Sequence, residues 1–106
     1  MASWAAAVAV AAMLAVSAAA PHAAPRQHTV VIEGMAFRPA TLTVKRGDRI
    51  AWVNRDLVPH TATAAAFDTG RIEAGRTRTL TVRQAGALDY DCAYHPTMKA
   101  RVVVEP

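Results

Sequence analysis

From residue 28 onward, polar and apolar positions alternate in short runs broken by turn residues. Thr29 to Ile32 is rich in β-branched side chains and stops before Gly34. Thr41-Leu42-Thr43-Val44 alternates strictly, which puts Leu42 and Val44 on one strand face. Lys45-Arg46-Gly47-Asp48 reads as a turn. Ile50, Trp52 and Asn54 then share one face, with Ala51 and Val53 on the other. Arg76 to Arg83 alternates again, with Leu80 and Val82 inward. Gln84-Ala85-Gly86 turns the chain, and Leu88 and Tyr90 lead towards Cys92. Arg101 to Val104 is a closing strand apolar enough to be covered on both faces. No stretch of this region carries a 3.6-residue period. Seven or eight short strands at regular intervals predict an all-β fold, a β-sandwich, with no internal repeat or linker.

The amino-terminal segment follows a different pattern. Of the first 20 residues 18 are apolar, 11 of them alanine, and no charge precedes Arg26. Trp4 to Val16 is an unbroken apolar run, too short to span a bilayer and of the length of a signal-peptide core. Ser17, Ala18, Ala19 and Ala20 supply the small residues that signal peptidase accepts. Residues 1–20 are therefore read as a signal peptide, 21–27 as a flexible tail and 28–106 as the folded domain. Such a chain is exported to the periplasm and keeps no stable membrane insertion after cleavage.

Composition narrows the function classes. From Gln27 to Pro106 apolar residues number 36 of 80, ordinary for a globular domain, so the leader inflates the overall 53%. A domain this small sits near the lower limit for a self-sufficient core and has no room for a nucleotide-binding α/β unit. The net charge of +4 lies entirely from Arg26 onward and favours partners with an acidic docking surface. The basic residues are scattered, with no run longer than Lys45-Arg46, which speaks against nucleic acid. The single cysteine excludes an internal disulfide and calls for another role: partner crosslink, buried bystander or metal ligand.

That cysteine lies in Cys92-Ala93-Tyr94-His95-Pro96-Thr97-Met98. A thiolate, an imidazole and a thioether follow one another at three-residue steps. These are the soft and borderline donors that suit copper cycling between Cu(I) and Cu(II). Two histidines, one cysteine and a weak axial methionine mark a blue-copper electron-transfer centre. The loop provides Cys92, His95 and Met98. His60, after Pro59 and just beyond the Trp52 strand, is the candidate for the second histidine, because a sandwich can gather distant strand ends at one pole. Met13 belongs to the leader and Met35 is expected in the core. His22 and His28 are expected at the surface.

With these residues in view, the stretch from His28 to Glu105 resembles the cupredoxins, most closely the amicyanin and plastocyanin branch. The matching pieces are Met35-Ala36-Phe37-Arg38-Pro39, Val44-Lys45-Arg46-Gly47-Asp48, Trp52-Val53-Asn54, Pro59-His60, Tyr90-Asp91-Cys92 and His95-Pro96-Thr97-Met98. The resemblance implies a Greek-key β-sandwich with one type 1 copper per chain at one pole. It implies that His60, Cys92 and His95 are strong ligands and Met98 the axial one. It also implies that His95 lies in an apolar patch serving as the electron port, with Leu57, Tyr94 and Pro96 as candidates. Two positions depart from the pattern. Thr61 stands where asparagine is common after the first ligand histidine, and Tyr94 where many relatives have proline. A threonine hydroxyl can replace part of the asparagine's hydrogen bonding.

The expected activity is one-electron exchange with a redox protein donor and acceptor, by a monomer that is not an enzyme. The alternative is a periplasmic copper-binding or delivery protein. Delivery proteins favour exposed methionine clusters or open two-cysteine sites, which this sequence lacks. A metal-free adhesion sandwich leaves the Cys-His-Met spacing unexplained. A copper oxidase needs more histidines than the four present.

Overall fold

The computed structural model describes residues 5–9, 11–12 and 24–106. Most of the proposed leader, together with residues 21–23, lies outside the described residues. From there on the backbone forms seven strands: β1 (Gln27–Glu33), β2 (Ala36–Arg38), β3 (Thr41–Lys45), β4 (Arg49–Asn54), β5 (Thr77–Thr81), β6 (Gly86–Asp91) and β7 (Lys99–Glu105). They make a four-stranded sheet in the order β2-β1-β4-β5 and a three-stranded sheet in the order β3-β7-β6. β1 runs parallel to β4 and β3 parallel to β7, so the chain changes sheets between β2 and β3 and again between β3 and β4.

The alternation read from sequence sets the inner faces. Val30 and Ile32 of β1, Ile50 and Trp52 of β4, and Val102 of β7 are all 0% exposed. Leu42, Leu80 and Leu88 face the same interior but are only partly covered, because each lies on an edge strand. Four aromatic rings hold the middle of the core. Phe37 meets Tyr90 edge-on at 4.7 Å between centroids, and Trp52 lies 5.4 Å from Phe67 and 5.9 Å from Tyr90. The Trp52 indole N–H donates to the Tyr90 hydroxyl at 3.3 Å, which satisfies both buried polar tips. Burial pushes the Tyr90 phenol up to about 12, despite the Trp52 hydrogen bond.

The structure corrects three sequence expectations. The short strand β2 was not predicted. Val103 is half-buried, so β7 is not covered on both faces. Met35 is 43% exposed rather than in the core. Glu33 pairs with Ala36, leaving Gly34 (φ 62°) and Met35 (φ 58°) as the two central residues of a tight hairpin turn. Both central positions of a type I′ turn need positive φ, and a residue there points away from the sheet. His28 is partly exposed, and its Nε2 lies 2.9 Å from an Asp48 carboxylate oxygen.

The ends of β1, β4 and β6 and the start of β7 meet at one pole. The segment after His60 is fastened to β6 there by Thr63, whose amide donates to the Asp91 carbonyl (2.8 Å) and whose carbonyl accepts from the Asp91 amide (3.0 Å).

Candidate metal centre

Two loops bring the candidate donors to this pole. The first runs from Asn54 to His60. Asn54 ends β4 fully buried, and its side-chain amide donates to the carbonyls of Val58 (2.8 Å) and Ile72 (3.0 Å). Its side-chain oxygen accepts from the Asp56 amide at 3.0 Å. The sequence placed Asn54 on the core face beside Trp52; here it closes the loop that delivers His60. His60 is then fixed by a two-way backbone pair with Ile72, at 3.1 and 2.7 Å.

The second loop, Cys92 to Met98, closes on itself. The Cys92 amide donates to the Met98 carbonyl (3.2 Å), the His95 amide to the Cys92 carbonyl (3.1 Å) and the Met98 amide to the His95 carbonyl (2.9 Å). The three donor-bearing residues are thus bonded to one another through their backbones, the consequence of a spacing of three.

The two loops bring His60, Cys92 and His95 together, with one ligand atom of each within 4.8 Å of the others. The Cys92 Sγ lies 3.7 Å from the Nδ1 of His60 and 3.7 Å from the Nδ1 of His95. The imidazole rings stand 5.2 Å apart at 63°. An ion bonded at about 2.3 Å to sulfur and about 2.0 Å to nitrogen, with a bond angle near 120°, separates those donors by about 3.7 Å. The observed spacing therefore fits a trigonal metal. Cys92 and His60 are 0% exposed and His95 is half-buried, so one of the three candidate donors reaches the surface. Met98 is buried in the same loop at 4% exposure.

The surroundings hold these donors in place. The Thr61 amide donates to the Cys92 Sγ at 3.4 Å. The Thr61 hydroxyl accepts from the Ala93 amide at 2.8 Å and contacts the Thr63 hydroxyl at 2.9 Å. Thr61 therefore ties the two loops together through its amide and its hydroxyl. Tyr94, in the proline's place, is 47% exposed, with the Arg71 guanidinium 6.0 Å over its ring.

Sequence reasoning missed Asp56. Its carboxylate contacts the outer nitrogen of His60 at 2.8 Å and accepts the amides of Gly34 (2.7 Å) and Met35 (2.9 Å) from the β1–β2 turn. Burial works against its charged form, but the Met35 amide, the His60 ring and the Gly34 amide outweigh that and hold its carboxyl below the usual range. A carboxylate behind an imidazole fixes the ring tautomer and raises its basicity towards a metal on the other nitrogen. The available signal was one acidic residue four positions before the candidate donor His60.

Beyond residue 24, the exposed large apolar side chains are Met35 (43%), Leu57 (95%), Val58 (41%) and Tyr94 (47%), all on loops of this pole. Pro96 is also exposed. The three residues expected in an apolar patch around His95 thus all face solvent here.

A family model described as a cupredoxin-like domain matches residues 6–104. Amicyanin of Paracoccus denitrificans is 35% identical over 83 residues, covering 72% of this chain and 63% of that protein. The chain thus spans less than two thirds of that relative's length. Amicyanin-alpha of Methylorubrum extorquens is 31% identical, covering 92% of this chain and 88% of that protein. Among solved structures, the Cu(I) form of a methionine-to-alanine variant of amicyanin superposes with a TM-score of 0.68. It is 32% identical, over 73% of this chain and 80% of that one. A reduced tryptophan-to-tyrosine variant of amicyanin gives a TM-score of 0.70 at 31% identity, over 74% and 82%. Strand order, pole and sequence agree: the chain belongs to the cupredoxin family.

Proposed function

We propose that this chain is an exported blue-copper electron carrier, in which His60, Cys92 and His95, with Met98 from the same loop, would hold one type 1 copper ion. The observation that carries this reading is the pair of equal 3.7 Å separations between the Cys92 sulfur and two imidazole nitrogens, around a sulfur closed off from solvent. Copper, when bound, supplies the one-electron Cu(I)/Cu(II) couple, and the relatives' structures in the Cu(I) state support that choice of metal. The protein's residues keep the donor positions fixed while the charge changes. Asp56 and the Ile72 backbone pin His60, and Thr61 bridges the loops. The Cys92–Met98 ring of amide bonds holds the other donors, so little reorganisation is needed. The Thr61 N–H on Cys92 and the burial of its sulfur draw charge off the thiolate and favour the reduced state. His95, the half-buried ligand, leads to the apolar surface of Leu57, Tyr94 and Pro96, where a donor and an acceptor dock in turn. No substrate bond is made or broken, and the carrier acts as a monomer in the periplasm after loss of residues 1–20.

The test is the visible spectrum of the purified domain after addition of Cu(II). An intense thiolate-to-copper band in the red, bleached by mild reductant and restored by oxidant, is expected. Cys92→Ala abolishes it, and Met98→Gln keeps it while changing its shape and the potential. Colourless Cu(I) binding without a reversible couple overturns the carrier role in favour of copper delivery.

A further inference from the structure

The net charge of this protein is concentrated on one edge. Residues 71–83 contain four arginines and one glutamate, while the rest of the chain holds eight basic and seven acidic residues. Three of the four net positive charges therefore belong to one short segment. Arg71, Arg76 and Arg78 line a single open hollow of about 290 Å³ with Glu73 and Thr77. All three arginines are exposed. Arg71 is paired with Glu73, whereas among the described residues Arg76 and Arg78 take part in no salt bridge.

This hollow is fastened to the metal pole. The Arg76 carbonyl accepts the Asn54 amide (2.9 Å), and the Gly75 amide donates to the Asn54 carbonyl (2.9 Å). The arginine-bearing turn is thus fixed to the residue that closes the His60 loop. Ile72, next to Arg71, makes the backbone pair with His60. The Arg71 guanidinium sits over Tyr94, the residue before His95. Arg78 lies on β5, an edge strand with no neighbour on its outer side. A forked guanidinium reads carboxylates in two-toothed fashion, and a cluster of them with a single internal acid is one-signed and only partly neutralised.

We infer that the Arg71–Arg76–Arg78 hollow is a docking site for surface carboxylates of a redox protein partner, holding it with its electron-accepting face over His95. This rests on the electron-carrier reading above. The apolar surface around His95 permits close approach but carries no charge pattern to select a partner, whereas the flanking arginines steer an acidic one and set its orientation. An anionic membrane surface would also be attracted to arginines. The continuity with Tyr94 and the ligand loops favours a partner that must come close to His95.

The test uses cytochrome c in two forms with the same haem: unmodified, with a basic surface, and succinylated on its lysines, with an acidic one. Rates of electron exchange with the copper-loaded protein are followed by stopped flow at low and high salt. The expected result is a faster reaction with the succinylated form, with the preference collapsing once the Debye length shrinks below about 10 Å. Arg76→Glu with Arg78→Glu lowers the succinylated rate at least about tenfold at low salt and raises the rate with unmodified cytochrome. The visible band and potential stay unchanged. Arg46→Glu with Arg49→Glu, the same charge change at the opposite pole, leaves the preference in place. Equal effects from the two double variants overturn the inference, because net charge alone then suffices. Unchanged cytochrome rates, with binding to phosphatidylglycerol vesicles lost in the Arg76/Arg78 variant, overturn it in favour of a membrane surface. If the wild-type protein shows no red band and exchanges electrons with neither cytochrome, the carrier reading has failed. The docking claim is then decided by calorimetric binding of the succinylated form, with its loss in the Arg76/Arg78 variant supporting the site and its retention refuting it.

Discussion

Replacing Asp56 by Asn tests whether a carboxylate outside the donor set governs the site. The wild-type carboxylate serves three N–H groups: one oxygen takes Gly34, the other takes Met35 and His60. Asparagine offers a single oxygen. Kept towards Met35 and His60, it forces its NH2 against the Gly34 N–H, and one hydrogen bond is lost outright. A hydrogen bond to a charged group contributes about 1.5–3 kcal/mol. The low end applies at Gly34, which water can reach. The two remaining bonds lose their charge assistance, roughly half their strength. A total cost of about 3 kcal/mol follows at the low end, or a fall of about 3 M in the urea midpoint for a slope near 1 kcal/mol/M. The pH dependence has a defined sign. Asp56 is held below its ordinary value, so its contribution is complete above the unfolded carboxylate pKa of about 3.9 and is lost as pH falls through the lower folded value. The gap between wild-type and variant metal-free protein is therefore flat near neutrality and closes in acid. In the copper protein, a less basic His60 weakens the oxidised state more than the reduced one, so the potential rises, by about 59 mV for each tenfold difference in affinity. Urea melts from neutral to acid pH and voltammetry of the loaded protein read both effects. An unchanged midpoint together with an unchanged potential would reduce Asp56 to a solvated loop charge and refute this reasoning.

Thr61→Ala removes the acceptor for the Ala93 amide and should cost about 1–3 kcal/mol, seen as a lower melting temperature of the copper-free protein, with Thr61→Asn recovering most of it. Asp48→Asn probes the opposite pole. The Arg26 amide, the His28 ring and the Lys45 amide hold Asp48 at about 2, so wild-type stability should fall between about pH 4 and 2 while the variant, weaker at neutral pH, should lose that dependence in a urea titration. Tyr90→Phe leaves the Trp52 indole N–H buried without a partner and should destabilise by about 1–3 kcal/mol in chemical denaturation with no change in the visible band. Met35→Gly should preserve the hairpin, since both central positions of its turn have positive φ, and the copper-loaded spectrum should be unaltered.

The ligand loop was legible because its chemistry is local. Cys92, His95 and Met98 sit at three-residue steps, and a loop that short places its donors on one side. The strands were legible through two-residue alternation, which fixed Trp52, Val44, Val82 and Tyr90 as interior positions. Met35 was misplaced because hydrophobicity says nothing about φ: an apolar residue forced into a tight turn faces water whatever its side chain prefers. β2 escaped notice because three residues are too few to display a period. The basic residues look scattered along the chain because none stands in a run longer than two, whereas a turn and a strand bring Arg71, Arg76 and Arg78 to one hollow.

Sequence alone determined the kind of chemistry available and the all-β alternation, because each depends on residue types and short spacings. Tertiary structure decided which histidine joins the thiolate, since His60 and Cys92 are 32 residues apart and meet only where the Thr63–Asp91 bridge fastens the segment after His60 to β6. It also decided that Asp56 stands behind His60 and that the Arg71 guanidinium sits over the Tyr94 ring. Those contacts cross between loops and sheet edges, and the distances that give them their energy come into being only when the two sheets close on each other.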